Sequence, residues 1–88
     1  MYQMVGDKMR KRVTHERNIL GLSQKKLAKE LELSVVFIRK IEKGVRNPSR
    51  ETMLKYQNFF GISASELFPD LFYKFNDTKR IIDKEFIG

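Results

Sequence analysis

The 88-residue chain is long enough for one small domain, and its 18 Lys and Arg residues against 11 Asp and Glu residues give a formal net charge of +7. It contains no cysteine, which excludes disulfides, thiolate metal sites and thiol catalysis. No apolar run approaches the roughly 20 residues that cross a bilayer, and the amino terminus is too polar for a secretory signal, so we expect a cytoplasmic protein without membrane association.

The positive charge is concentrated in one part of the chain. Residues 1–68 hold 14 Lys and Arg against 7 Asp and Glu, whereas residues 69–88 hold 4 of each. A basic field of this kind attracts polyanions such as nucleic acids. Solubility alone would account for the charge equally well, so the charge does not decide the function.

The first predicted helix covers about residues 7–20. Met9, Val13 and Leu20 recur on one helical face, which is the pattern of a helix with one side in a core. Gly21 follows as a glycine of the kind that ends such a helix.

Two short helices are predicted next, over about residues 24–31 and 35–43, and a sharp turn joins them. Ser23 and Ser34 precede them as N-caps. Small or apolar side chains fall on the inner faces of the pair: Leu27, Ala28, Leu31, Leu33, Ile38 and Ile41. This is the spacing of a helix-turn-helix, whose second helix enters the major groove of DNA.

The rest of the chain predicts two more helices and an apolar tail. A strongly apolar helix covers about residues 50–60, and Ser63 with Glu66 forms a capping box for a short helix over about 64–68. Residues 71–75 are aromatic and suit either a helix or a strand. The predicted fold is therefore all-α, a five-helix bundle with a short C-terminal apolar tail.

The residues of eight stretches, together with the spacing between these stretches, form one pattern: 20–24, 27–28, Ser34, Ile38, 41–44, 46–49, 62–63 and 66–68. With this pattern, residues 9–68 resemble the lambda-repressor-like, Cro/CI-type helix-turn-helix family, also called the XRE family. The resemblance implies a lambda-repressor-like five-helix bundle and a sequence-specific transcription regulator. We expect a repressor that acts as a homodimer on double-stranded DNA.

The resemblance also implies a role for each matching residue. DNA contact is implied for Gln24, Ser34, Val35, Val36, Phe37, Arg39, Lys40, Lys43, Arg46, Asn47 and Arg50. The exposed first turn of the second helix, residues 35–37, is where the family reads bases, with Phe37 expected to be a packing or shape element rather than a base reader. Lys40, one turn further on, would face the groove, and the residues that would line the adjacent phosphate backbone are Lys43, Arg46, Asn47 and Arg50. Arg17 and Glu42 match a structural ion pair that joins the first helix of the bundle to this reading helix.

Two departures from the family pattern matter. Glu32 occupies the turn where glycine is usual, and a left-handed Glu32 should cost about 1 kcal/mol. Val35, Val36 and Phe37 occupy base-reading positions, where apolar side chains pack against thymine methyls but make no bidentate hydrogen bonds to guanine or adenine. A protein-interaction module on the same fold, such as an antirepressor or an antitoxin, is therefore the alternative function.

The composition divides the chain into a DNA-binding domain, residues 1–68, and a C-terminal extension, residues 69–88. The extension is apolar and carries no net charge, so we expect it to meet a second subunit. Candidate dimerisation residues are Phe68, Leu71, Phe72, Phe75, Ile81, Ile82 and Phe86. The alternative is that the extension folds back on its own monomer.

Nothing in the sequence indicates catalysis. His15 has no cysteine, second histidine or carboxylate pair beside it, and no nucleophile–base arrangement, metal spacing or glycine-rich phosphate loop is present. We therefore expect no enzyme activity, cofactor, metal ion or small-molecule ligand. Double-stranded DNA is the expected partner, with a protein partner as the alternative.

Overall fold

The computed structural model describes residues 9–72. This part of the chain is all-helical, which confirms the predicted fold class, and its helices are α1 (Lys11–Ile19), α2 (Gln24–Leu31), α3 (Val35–Glu42), α4 (Arg50–Phe60) and α5 (Ala64–Leu67). Residues 69–72 form a further helical turn at the end of the described chain. Within residues 9–72, no helix combines the length and the apolar composition that crossing a membrane requires.

Serine hydroxyls begin four of the five helices. Each accepts a hydrogen bond from the backbone N–H three residues further on, and the capping residues are Ser23, Ser34, Ser49 and Ser63. A cap of this kind stabilises a helix by about 1 kcal/mol. The starts of α2 to α5 therefore follow from local sequence, as predicted.

Helix α1 begins later than predicted. Its N-cap position is Arg10, whose side chain makes no capping hydrogen bond, and neither Met9 nor Arg10 is helical. Met9 lies before the helix and Leu20 follows its last residue, so both are about half exposed and only Val13 of the predicted face is buried. The predicted start at residue 7 lies outside the described residues.

The turn between α2 and α3 has the geometry that the sequence predicts. Glu32 has φ 59° and ψ 45°, which is the left-handed region. This conformation reverses the chain sharply, and the backbone N–H of Leu33 donates to the carbonyl oxygen of Ala28 at 2.9 Å. The small side chain of Ala28 is buried there, so α2 and α3 pack closely.

One hydrophobic core joins all five helices. Its buried members are Val13, Leu27, Ala28, Leu31, Ile38, Ile41, Tyr56, Leu67 and Phe68. The residues predicted for the inner faces of α2 and α3 are thus buried, and Leu33 packs against the same core. This core holds α3 rigidly against the rest of the domain.

The position of Phe68 corrects the predicted dimerisation surface. Phe68 is fully buried, and its ring packs edge-on against Tyr56 at 5.2 Å between centroids. It therefore completes the core of its own chain and offers no surface to a second subunit. Leu71 is also packed against this core, and Phe72 is half-buried.

The strand alternative for residues 71–75 is wrong at its first two positions, because Leu71 and Phe72 are helical. The remaining candidate dimerisation residues lie outside the described residues: Phe75, Ile81, Ile82 and Phe86.

Candidate nucleic-acid interface

The N-terminal half of α3 borders a shallow depression on the protein surface. Its volume is about 310 Å³, and it is lined by Ser34, Val36, Phe37, Lys40 and Arg46. All five are residues for which the family resemblance implies DNA contact. The fold therefore brings the start of α3 and the loop after it to one surface.

The three apolar residues at the start of α3 do not share one environment. Val35 lies three residues before Ile38, and Phe37 lies four residues before Ile41, so both face the core with them. Both are half-buried and pack against that core, whereas Val36 keeps 49% of its surface exposed. Of the three apolar residues in this first turn, only Val36 is therefore exposed, whereas Val35 and Phe37 are half-buried.

The outer face of α3 is basic. Arg39 and Lys40 lie three and four residues after Val36, and Lys43, the C-cap of the helix, lies four and three residues after them, which places all four on one helical face. All four are exposed. Within residues 9–72, none of the three cations on this face has a carboxylate partner within salt-bridge distance. They are available to an anionic surface.

The loop after α3 adds a cation that is held in place. The guanidinium carbon of Arg46 lies 5.6 Å from the centroid of the Phe37 ring, which is a cation–π distance. The backbone N–H groups of Val45 and Arg46 both donate to the carbonyl oxygen of Lys40, at 2.9 and 3.2 Å. Arg46 is exposed and thus lies at the edge of the depression.

Three further candidate residues lie at or near helix starts. Ser34 is exposed, and its hydroxyl accepts from the backbone N–H of Phe37 at 3.0 Å. Arg50 is the exposed first residue of α4. Asn47 is exposed, and its side-chain oxygen accepts from Nη2 of Arg10 at 2.6 Å.

Gln24 contacts a buried ion pair that supports α3. Arg17 Nε lies 2.7 Å from Glu42 Oε2, and Nη2 donates to Oε1 at 3.1 Å. The amide nitrogen of Gln24 donates to the same Oε1 at 3.0 Å. Glu42 is buried, so these charge-assisted bonds tie the end of α3 to both α1 and α2.

Arg10 is the residue of this region that the sequence did not indicate. Its guanidinium is buried and bonds to the end of α3, to the loop at Arg46 and Asn47, and to Asp70. These partners lie 31 to 60 residues away in the chain, and no periodic pattern connects them. The sequence placed Arg10 inside the first predicted helix, so it gave no signal for this role.

No arrangement for metal binding accompanies this surface. Within the part of the chain that the structure describes, no three His, Cys, Asp or Glu side chains come together as metal ligands.

Comparisons with known proteins agree with this geometry. The helix-turn-helix family model matches residues 15–67. The chain is also similar to an uncharacterized HTH-type transcriptional regulator of Methanocaldococcus jannaschii, with 35% identity over 60 residues, which is 68% of this chain and 91% of the relative. No solved structure matches the chain significantly.

Proposed function

Because the chain belongs to the Cro/CI-type (XRE) helix-turn-helix family of DNA-binding transcription regulators, we propose that it is a sequence-specific repressor that binds an operator through α3. The observation that carries this proposal is the outer face of α3, which presents Arg39, Lys40 and Lys43 without carboxylate partners in the described chain. The major groove of DNA accepts one helix with such a face.

Affinity and sequence choice are divided between two sets of residues. Lys43, Arg46, Asn47 and Arg50 contact phosphates beside the groove, together with Gln24 and Ser34 at the starts of α2 and α3. Phosphate contacts supply affinity and orientation but carry no sequence information directly. Sequence choice belongs to the exposed outer residues of α3, which are Val36, Arg39 and Lys40.

The depression beside α3 suits a thymine methyl group. Val36 is exposed there, and the half-buried ring of Phe37 lines the same depression. Apolar side chains recognise thymine through its C5 methyl. Lys40 also lines the depression, and its ammonium can donate to the O6 and N7 acceptors of guanine. The operator should therefore contain thymine next to guanine in each half-site.

The alternative function, a protein-interaction module such as an antirepressor or antitoxin, has weaker support. It was motivated by an apolar triplet at residues 35–37. Since Val35 and Phe37 pack against the core, only Val36 contributes a freely exposed apolar side chain there. A single exposed valine among cations fits a polyanion better than an apolar partner surface.

The repressor acts as a homodimer in this proposal, because helix-turn-helix proteins place two reading helices one DNA turn apart. Residues 1–68 form the DNA-binding domain, and the extension of residues 69–88 supplies the dimer contact without Phe68. The protein works in the cytoplasm and has no catalytic role, since its family consists of DNA-binding domains.

Selection of bound fragments from random double-stranded DNA tests this proposal. We expect an enriched two-fold symmetric site with half-sites one helical turn apart. We also expect affinity to fall by about 10³-fold between roughly 50 and 200 mM salt, if a dimer contacts at least six phosphates. A salt-independent response, or no retained fragment, contradicts the repressor and favours the protein-interaction module.

A further inference from the structure

We propose that Arg10 is a positioning residue for DNA binding: it fixes the loop of residues 44–47 against α3, with Asp70 as its counter-ion. The inference rests on the proposed function, because Arg46 and Asn47 in this loop are proposed phosphate contacts. It adds a residue that does not touch DNA itself.

The Arg10 guanidinium is fully used by acceptors in the folded chain. Arginine carries five N–H donors, and five hydrogen bonds leave this side chain. They run to Asp70 Oδ1 at 3.2 Å, Asp70 Oδ2 at 2.9 Å, the Ile41 carbonyl at 2.7 Å, the Arg46 carbonyl at 2.9 Å and Asn47 Oδ1 at 2.6 Å. No other residue type offers this fork of donors.

These bonds join three separate segments. The bond to Ile41 reaches the last turn of α3, and the backbone N–H of Arg10 donates to the Glu42 carbonyl at 2.9 Å. The bonds to Arg46 and Asn47 reach the loop, and the bidentate pair with Asp70 reaches the helical turn of residues 69–72. The loop is therefore held at two adjacent residues by a single side chain.

The loop also contacts the N-terminal end of α3, which is proposed to read bases. The carbonyl of Arg46 is fixed by Arg10, while the guanidinium of Arg46 lies over the ring of Phe37. Without Arg10, the Arg46 carbonyl and the Asn47 side chain lose their shared anchor. The guanidinium of Arg46 is then no longer held in position for a phosphate contact.

Arg10 cannot act on DNA as a surface charge. Its side chain is only 3% exposed, and its guanidinium carbon lies 5.7 Å from the centroid of the Phe68 ring. Any effect of its replacement on the binding of phosphates must therefore pass through the loop. This separates Arg10 from the exposed cations of the domain.

Arg12 provides a matched control. It lies two residues away and carries the same charge, but its side chain is 41% exposed and pairs with Glu16 within α1 at 2.9 Å. Arg12→Gln and Arg10→Gln remove the same charge from the same end of α1. Only Arg10→Gln also removes the anchor of the loop.

The experiment measures binding of the full chain to a short mixed-sequence DNA duplex by fluorescence anisotropy over a series of salt concentrations. The logarithm of affinity falls linearly with the logarithm of salt, and this slope becomes shallower by about 0.9 for each phosphate that the protein no longer neutralises. We expect Arg10→Gln to make the slope shallower by about 1–2 per bound protomer and to lower the affinity roughly tenfold or more. Arg12→Gln should leave the slope unchanged.

Two further variants separate positioning from charge and from folding. Arg10→Lys keeps the charge but lacks the fork of donors, so it should not restore the wild-type slope. Asp70→Asn keeps Arg10 and should change the slope by less than Arg10→Gln, because only the counter-ion is weakened. The Asp70 side chain is 49% exposed, so this variant should fold.

The outcomes are distinguishable. If folded Arg10→Gln has the slope of Arg12→Gln, or if Arg10→Lys restores the wild-type slope, the positioning role is refuted. If Arg10→Gln does not fold, an unchanged slope for Asp70→Asn refutes it instead. If the wild-type protein binds without salt dependence, the proposed function has failed, and the inference fails with it.

Discussion

The left-handed turn between α2 and α3 should be a site where one substitution stabilises the protein. Glu32 has φ 59° there and is exposed, and it forms no ion pair with any residue in 9–72. Its side chain therefore contributes strain without a compensating contact. Replacing it with glycine removes the clash between Cβ and the backbone that disfavours this region.

The magnitude follows from two opposing terms. A left-handed L-residue costs about 1–2 kcal/mol, and glycine adds about 0.5–1 kcal/mol of conformational entropy to the unfolded chain. We expect Glu32→Gly to raise the free energy of unfolding by about 0.5–1 kcal/mol, which shifts the Tm of a domain of this size upward by roughly 2–8 °C. The backbone N–H of residue 32 still donates to the Lys29 carbonyl in the variant.

Urea denaturation followed by far-UV circular dichroism measures the change. Glu32→Gln is the matched control, because it removes the same charge while keeping a side chain in the left-handed conformation. The glycine variant should be more stable than the glutamine variant by about 0.5–1 kcal/mol, which is the strain less the entropy cost of glycine. Equal unfolding free energies for the two variants would show that the strain does not exceed the entropy cost of glycine, and would refute the expected stabilisation.

Three further sets of substitutions test the core and the interface. Burial, with a smaller contribution from the negative charge of Glu42, raises the pKa of the Tyr56 phenol well above its ordinary value. The folded state therefore binds this proton more tightly than the unfolded state does. The free energy of unfolding consequently falls as pH rises above about 10. Tyr56→Phe should remove that loss, and the stability difference between variant and wild type, measured by urea denaturation, should grow by up to about 1.4 kcal/mol per pH unit there. Arg17→Met should cost about 3–5 kcal/mol of unfolding free energy because it leaves the buried Glu42 carboxylate without its cation, and adding Glu42→Leu should recover most of it. In anisotropy titrations, Lys40→Ala should lose about 1–3 kcal/mol on selected DNA and relax one base position, whereas Arg46→Ala should weaken all sequences alike; an equal loss on selected and random DNA would remove Lys40 from the base-reading set.

The features that the sequence predicted correctly depend on neighbours in the chain. The caps at Ser23 and Ser34 involve backbone groups three residues away, and the left-handed Glu32 lies in the short turn between the two helices. The inner residues of α2 and α3 repeat at helical spacing, so their burial follows from period alone. Such short-range constraints can be predicted because the residues that cause them are close together in the sequence.

The partial burial of Val35 and Phe37 follows from the same helical period. Val35 precedes Ile38 by three residues and Phe37 precedes Ile41 by four, so helical spacing alone assigns both to the core face. The family resemblance instead treated the whole first turn as exposed. Where a motif and a periodicity disagree on a short helix, the periodicity describes this molecule better.

The role of Arg10 depends on contacts between residues far apart in the sequence, and these contacts affect where the domain ends. A boundary after residue 68 follows composition, because the charge excess ends there. Hydrogen bonds cross that boundary, since Asp70 holds the same buried cation that binds the Arg46 carbonyl and the Asn47 side chain. A buried arginine is tolerated only where its donors are satisfied and its charge is paired. The network of hydrogen bonds around Arg10 therefore includes Asp70, and the first turn of the extension contacts the residue that holds the proposed DNA-contacting loop.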